Sequence, residues 1–313
     1  MLLWVLSPDE PIAKPRIGSI NRTELNERLV TRRRGGIPTA DARSPFSGRG
    51  PVACWASFKF DAARTAMGRF ASTVAYYESA RPPYGAAFFA AVAGQLGLDR
   101  SQRLLDVGAG PGILAIGFAP YCREVIGVDP EPAMVEAARA AAERTGVAVR
   151  FIEGRFEDVA AKLGAFDVVT IGRAVHWLDP EPARAALDRA IAPRGRILVC
   201  GATSVKDGRN QWLEAFNTVR DRWKGERPAR DHHTFFANGQ FTRTGAIRVQ
   251  GTYAVPVERL VDRVLSMSTS SSERLGDQVP EMKRAMRAAL APFAAEGMIE
   301  DIVEARAEVF ERA

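Results

Sequence analysis

The chain has 313 residues, 46% hydrophobic and 26% charged, with a formal net charge of +6. That balance is ordinary for a protein with enough material for a sizeable core, and it excludes a collagenous, low-complexity or disulfide-stapled chain. Residues 1–66 hold 11 Lys or Arg against 6 Asp or Glu, whereas the other 247 residues hold 32 against 31. The positive excess therefore belongs to the start of the chain, and no nucleic-acid partner is expected for the rest.

Residues 1–66 read as a disordered basic leader. The apolar start 1–6 is too short for a secretory signal, and 31–51 mixes arginine, glycine and proline without apolar periodicity. Arg32-Arg33-Arg34 reads either as an anionic-surface contact or as a solvated tail. Cys54, Cys122 and Cys200 are far apart, with no C-x-x-C pair. Reduced thiols, a cytoplasmic location and no metal site are expected. No run approaches the ~20 apolar residues of a membrane span.

The ordered domain is expected over 67–313. A helical stripe at Phe70, Val74 and Tyr77 is stopped by Pro82-Pro83, and 85–98 reads as an apolar helix. Leu104-Leu105-Asp106-Val107 then has the composition of a strand buried in a parallel sheet. Glycines follow at 108, 110 and 112, a helical pattern runs over 113–118, and a second apolar strand over 124–128 ends in Asp129. Strand, glycine turn, helix, strand and carboxylate describe the nucleotide-binding half of a doubly wound α/β fold. Asp129, 21 positions after Gly108, is placed to accept hydrogen bonds from a ribose diol.

Two ligand classes compete for this turn. A dinucleotide wants G-x-G-x-x-G with its pyrophosphate at the helix N-terminus. Here Ile113 stands at the third-glycine position, and the third glycine is Gly112. Asp106 is a poor neighbour for a pyrophosphate and a good one for an ammonium group. The run D-x-G-x-G-x-G resembles the first motif of the class I S-adenosylmethionine-dependent methyltransferases. The resemblance implies S-adenosyl-L-methionine as cofactor. Asp106 and the backbone of Gly108, Ala109, Gly110 and Gly112 would then hold its methionine part, Asp129 and Pro130 its ribose, and Met134 would lie near ribose and adenine. Met134 reads equally well as core filler on an alanine-rich helix.

Just upstream, Tyr77, Arg81, Pro82 and Tyr84 resemble the Y-x-x-x-R-P-x-Y start of a small-molecule methyltransferase branch. There this segment forms a lid over the methionine end of the cofactor. The likeness makes Tyr76, Tyr77 and Arg81 candidates to close the site, Arg81 by pairing with the methionine carboxylate and Tyr77 by meeting the substrate. Their alternative roles are tyrosine packing and a charge at a helix C-terminus.

A third strand over 147–153 leads to Gly154-Arg155-Phe156-Glu157-Asp158. By the same resemblance this is the adenine turn, with contacts from Phe156 and Glu157, although the family has a small residue where Phe156 stands. Asp158 is a candidate helix N-cap. The fourth strand, 166–171, runs into Arg173-Ala174-Val175-His176-Trp177-Leu178-Asp179. Ligands in open α/β sheets sit beyond the carboxyl ends of strands, so this stretch should face the acceptor. A-x-H-W-[FL]-D resembles the branch containing trans-aconitate-type methyltransferases. Arg173 replaces a small polar residue of that branch and suggests either a carboxylate-bearing substrate, with His176 and Trp177 beside it, or an unrelated surface pair. His176 is the one nearby candidate base for a hydroxyl acceptor, and otherwise a support for the turn.

A helix over 180–191, a turn at 193–195 and a fifth strand at 196–200 complete the alternation. The aromatic-rich stretch 204–245, with Trp212, Phe216, Trp223, Phe235 and Phe236, reads as a substrate cap or a packing patch. His232-His233 lack a third ligand for a metal. A sixth strand over 247–257, helices over 258–267 and 280–295 separated by a polar loop, and an alternating antiparallel final strand over 303–310, where the Glu304–Glu308 spacing would also suit a helix, close the chain. The expected architecture is α/β: a doubly wound, mostly parallel, Rossmann-like seven-stranded sheet. The expected activity is methyl transfer to a small-molecule carboxylate or hydroxyl. The competing readings are a nicotinamide-dependent oxidoreductase and a non-catalytic cofactor-binding relative.

Overall fold

The structure, a computed structural model, describes residues 80–225, 232–237, 239–267 and 269–313. The expectations for the 1–66 leader, the Phe70–Val74–Tyr77 stripe, Tyr76 and the side chains of His232 and His233 lie outside the described residues.

Helix α1 (Ala86–Leu96) comes first, ended by Gly97 in the left-handed conformation. Strand β1 (Arg103–Val107) follows, then α2 (Ile113–Phe118), β2 (Glu124–Asp129), α3 (Pro132–Thr145) and β3 (Arg150–Glu153). The short α4 (Phe156–Val159), β4 (Phe166–Gly172), α5 (Pro180–Ala190) and β5 (Ile191–Ser204) complete the alternating part. Next come α6 (Leu213–Arg222), α7 (His232–Phe236) and β6 (Phe241–Pro256). Helices α8 (Val257–Leu265), α9 (Ser272–Leu275) and α10 (Val279–Leu290) precede β7 (Met298–Arg312).

The seven strands form one sheet in the order β3-β2-β1-β4-β5-β7-β6. The first five pair in parallel, and β7 inserts antiparallel between β5 and β6. This is the expected doubly wound architecture with its antiparallel final strand.

Alternation along β1 explains the layering. Leu104 enters an apolar cluster with Phe88, Phe118 and Val135 of α1, α2 and α3. Its neighbours Leu105 and Val107 enter another, with Phe156 and Leu187 of α4 and α5. Both β1 faces are covered, which is why the strand reads as a continuous apolar run.

Strand β5 departs from expectation. It spans 191–204, longer than expected, and its pairing with β4 passes from Ile191 opposite Phe166 directly to Arg196 opposite Val168, so the Pro193–Gly195 stretch loops out of the ladder where a turn was expected. It also runs on past the end of β4. Gly172, the last residue of β4, is level with Cys200, and Cys200 with Ala307 and hence Ile247. Beyond that level β5, β7 and β6 continue alone, as far as Ser204, Met298 and Pro256. The outer ends of β6 and β7 carry a third apolar cluster. There Val255 and Ile299 meet Trp212 and residues of α6, α8, α9 and α10, among them Phe216, Leu260, Leu275 and Met286.

The expected cap over 204–245 is therefore divided. Trp212 and Phe216 belong to that helical layer, while Phe235 and Phe236 pack with Phe310 in the cluster containing Leu105. The layer draws its remaining helices from after β6. Among smaller differences, β3 starts at Arg150, and Arg155 occupies the N-cap position of α4, leaving Asp158 inside its first turn. The polar loop expected over 266–273 contains the start of α9.

Gly112 shows what the motif spacing protects. It has φ 84°, and a Cβ there would stand 2.7 Å from Phe151 Cζ and 3.1 Å from Ala138 Cβ. Gly112→Ala should therefore lower stability by about 2–4 kcal/mol through strain and overpacking together. Urea unfolding monitored by circular dichroism measures this, and a loss under ~0.5 kcal/mol would show that the turn is not wedged against β3.

Candidate active site

The site lies where β1, β2 and β4 end. Asp106, near the end of β1, is 1% exposed. One carboxylate oxygen accepts the Thr170 hydroxyl of β4 at 2.7 Å, and the other accepts the Ala115 backbone N–H of α2 at 3.1 Å. Gly112 is the N-cap of α2 and has no side chain to satisfy the helix's first N–H groups, so Asp106 caps the helix from the neighbouring strand. Burial away from water raises the Asp106 pKa to about 7, against the lowering pull of the two hydrogen bonds.

The glycine turn is tied down by its own N–H groups. Those of Gly108 and Ala109 both bond to Val128 O, at 2.9 and 3.0 Å, and that of Gly112 to Ala109 O at 3.0 Å. The Gly110 N–H donates to Asp129 Oδ2 at 2.8 Å, and Pro111 has none to give. The donors from 108 to 112 are thus already spent, so the turn makes no nest for a pyrophosphate. It presents acids instead. Asp129 is largely buried, its other oxygen accepts the Glu131 N–H at 3.0 Å, and burial raises its pKa.

Around Gly110 there is room. A Cβ there would meet nothing within 4 Å, whereas one on Gly108 would strike Ala174 Cβ at 2.5 Å. The opening belongs to a cleft lined by Tyr84, Asp106, Gly108, Ala109, Gly110, Pro111, Ile113, Leu114, Gly172 and Arg173. The residues fit a ligand with an ammonium group and a diol: carboxylates at the ends of β1 and β2, and a side-chain-free backbone between them.

Arg173 is in this cleft. It follows β4 with φ 58°, an uncommon conformation for a residue with a side chain. Its N–H reaches Cys200 O at 3.2 Å. The guanidinium donates to Pro82 O at 2.7 Å and Ala202 O at 3.2 Å, and lies 5.1 Å from the Tyr84 ring centroid. Sequence reasoning placed Arg173 on the acceptor, but the structure brings it to the same cleft as the glycine turn. His176 and Trp177 lie further on, in the 3-10 turn Val175–Trp177, both half-buried with ring centroids 4.9 Å apart. They are not among the cleft-lining residues.

Other candidates take different places. Arg81 donates to Ser266 O at 2.7 Å, so its head is fixed to the C-cap of α8. Met134 and Phe156 are both 3% exposed, so their side chains are core and an adenine would meet only their backbone. Glu157 sits in the first turn of α4 near Arg155, at 3.7 Å, and Pro130 is exposed beside Asp129. Thr170, which holds Asp106, and Tyr84, which lines the cleft, are residues of this region that sequence reasoning did not single out. Tyr84 closes the R-P-x-Y pattern and was findable there; Thr170 reads as one more strand residue.

Comparison with known proteins gives the family. Residues 105–199 match the family model for the methyltransferase domain. An uncharacterised methyltransferase of Mycobacterium tuberculosis is 31% identical over 199 residues, covering 64% of this chain and 76% of that protein. Another, from Bacillus subtilis, is 35% identical over 123 residues, covering 38% of this chain and 49% of that protein. Among solved structures, a protein from Anaeromyxobacter dehalogenans assigned as a type II methyltransferase shares the fold. Its TM-score is 0.54 at 19% identity, over 74% of this chain and 97% of that one.

The raised Asp106 pKa has a stability consequence. Its unfolded value is near 3.8 and its folded value about 7. The stabilisation is fully present below the unfolded value and is lost as pH rises through the folded one, because deprotonation is easier in the unfolded chain. Unfolding free energy should thus fall by on the order of 2–4 kcal/mol between pH ~4 and ~7.5 relative to Asp106→Asn. Urea titrations of both proteins across that range test this; parallel pH profiles would refute it.

Proposed function

Because the chain belongs to the class I S-adenosylmethionine-dependent methyltransferases, we propose that it methylates a small molecule at a carboxylate or hydroxyl oxygen. The observation that carries the cofactor arrangement is the glycine turn, whose donors are spent internally and which is flanked by two acids. A cationic, phosphate-free ligand suits that turn. When bound, the cofactor supplies a methyl group activated by its sulfonium.

In this reading Asp106 faces the ammonium, and the ligand's positive charge draws its carboxyl toward the ionised form. Arg173, across the same cleft, takes the methionine carboxylate, a role the resemblance gave to Arg81. Each Asp129 oxygen holds one backbone N–H and keeps acceptor capacity for a ribose hydroxyl. Glu157 and the backbone at Phe156 and Met134 serve the adenine, with Pro130 beside the ribose. The turn carrying His176 and Trp177 borders the acceptor, His176 taking a hydroxyl proton where there is one; a carboxylate needs no base. Tyr84 walls the cleft and favours a narrow acceptor that can be held in line while water is kept out.

The test is release of S-adenosylhomocysteine from S-adenosylmethionine across a panel of organic acids and phenols. Turnover should appear with at least one of them; turnover confined to proteins or nucleic acids would overturn the small-molecule reading. Asp129→Ala should weaken S-adenosylhomocysteine binding by about tenfold or more, since charged hydrogen bonds contribute ~1.5–3 kcal/mol each. An unchanged dissociation constant would mean that β2 does not end at the ribose. Arg173→Gln separates the two roles considered for that residue. Cofactor affinity should fall by roughly 10- to 100-fold, with the acceptor's Michaelis constant little altered. The reverse pattern would return Arg173 to the acceptor.

A further inference from the structure

The segment 80–84, which ends in the cleft wall at Tyr84, is held by three arginines from three directions. Arg263 of α8 donates to Ala80 O at 2.9 Å, and Arg173 donates to Pro82 O at 2.7 Å. Between them Arg81 reaches out to Ser266 O at 2.7 Å. Arg263 is itself buried, at 5% exposure. It spreads its remaining donors to Ser204 Oγ of β5 at 3.2 Å and to Asp301 Oδ2 of β7 at 3.0 Å. Asp301 is wholly buried, and its Oδ1 has no hydrogen-bond partner among the described residues.

We propose that Arg263, held by Asp301, is a positioning residue for methyl transfer that sets segment 80–84 against the cofactor cleft. The guanidinium joins the segment, the projecting ends of β5 and β7, and the helical layer through α8. Ordering the cleft wall around a ligand therefore also orders α8. The inference rests on the cofactor reading above and goes beyond it, because neither Arg263 nor Asp301 lines the cleft.

The first experiment uses the unmodified full chain with S-adenosylhomocysteine as probe, its binding checked by calorimetry. Hydrogen exchange should slow on binding in peptides covering 80–85 and also in those covering α8. Binding with slowing confined to 80–85, or absent from both, overturns the proposal while leaving the cofactor reading intact. No binding at all removes the cofactor reading, and this inference with it.

The second experiment compares Arg263→Lys with the double variant Arg263→Met/Asp301→Leu. Replacing a buried ion pair by apolar groups is often neutral for stability, so the double variant should melt near the parent. Without a donor to Ala80 O, it should bind S-adenosylhomocysteine about tenfold more weakly and lose the linked slowing in α8. Arg263→Lys keeps the charge but cannot reach three acceptors in one plane, and should fall between the two. A purely structural pair would alter melting and leave affinity unchanged. Parental affinity in a well-folded double variant would therefore overturn the proposal, and should that variant fail to fold, the exchange pattern of the unmodified chain decides.

Discussion

A buried carboxyl group joins three elements of this molecule. Asp106 projects from β1, accepts the Thr170 hydroxyl from β4, and caps α2 through the Ala115 N–H. Each contact fixes a part of the cleft: the parallel pairing of the two central strands, and the angle at which the helix leaves the glycine turn. Leaving that carboxyl unsatisfied would cost more than either bond contributes, so the three elements are obliged to meet there. The same group lines the cleft. Its burial, which raises its pKa, also makes it sensitive to any charge that enters.

The glycine turn shows how a shared motif can be turned to a different ligand chemistry. Phosphate-binding turns keep their N–H groups pointing outward at the ligand. Here Val128 O, Ala109 O and the Asp129 carboxylate take them, and a proline removes another. What remains toward the cleft is a bare surface at Gly110 with acids on either side. The polarity of the site is thus set by where the backbone donors go, before any side chain outside the turn contributes.

Much of this was legible because it is local. Asp106, the three glycines and Asp129 lie within 24 consecutive residues, and their spacing alone implies strand, turn, helix and strand. The alternation along 303–310 likewise marked the antiparallel final strand. What escaped was long-range. Nothing in the spacing of Thr170 says that its hydroxyl meets a carboxylate 64 residues away. Pro193 and Gly195 read as a turn, and the chain does loop out there, but nothing local shows that Ile191 ahead of it already pairs with Phe166 of β4. The aromatics after β5 gave a composition without a direction, and the fold sends Trp212 and Phe236 to different clusters. Arginine is the hardest to place, because a long side chain carries its head far from its backbone, as Arg81 does to Ser266 O and Arg173 to Pro82 O.

Why arginines should gather around segment 80–84 follows from its backbone. Pro82 and Pro83 have no N–H, so the segment cannot join a helix or a sheet ladder in the usual way. Its carbonyls must still find donors where Ala80 and Pro82 are buried. A guanidinium offers five donors in one plane and can serve a carbonyl, a hydroxyl and a carboxylate together, as Arg263 does. Such a pair adds little to stability once desolvation is counted. Its geometric effect is larger, because three planar heads, from the residue after β4, from α8 and from the segment itself, leave the backbone few alternative positions. Proline-rich chain with no ladder of its own is thus placed at the edge of the cleft by those side chains.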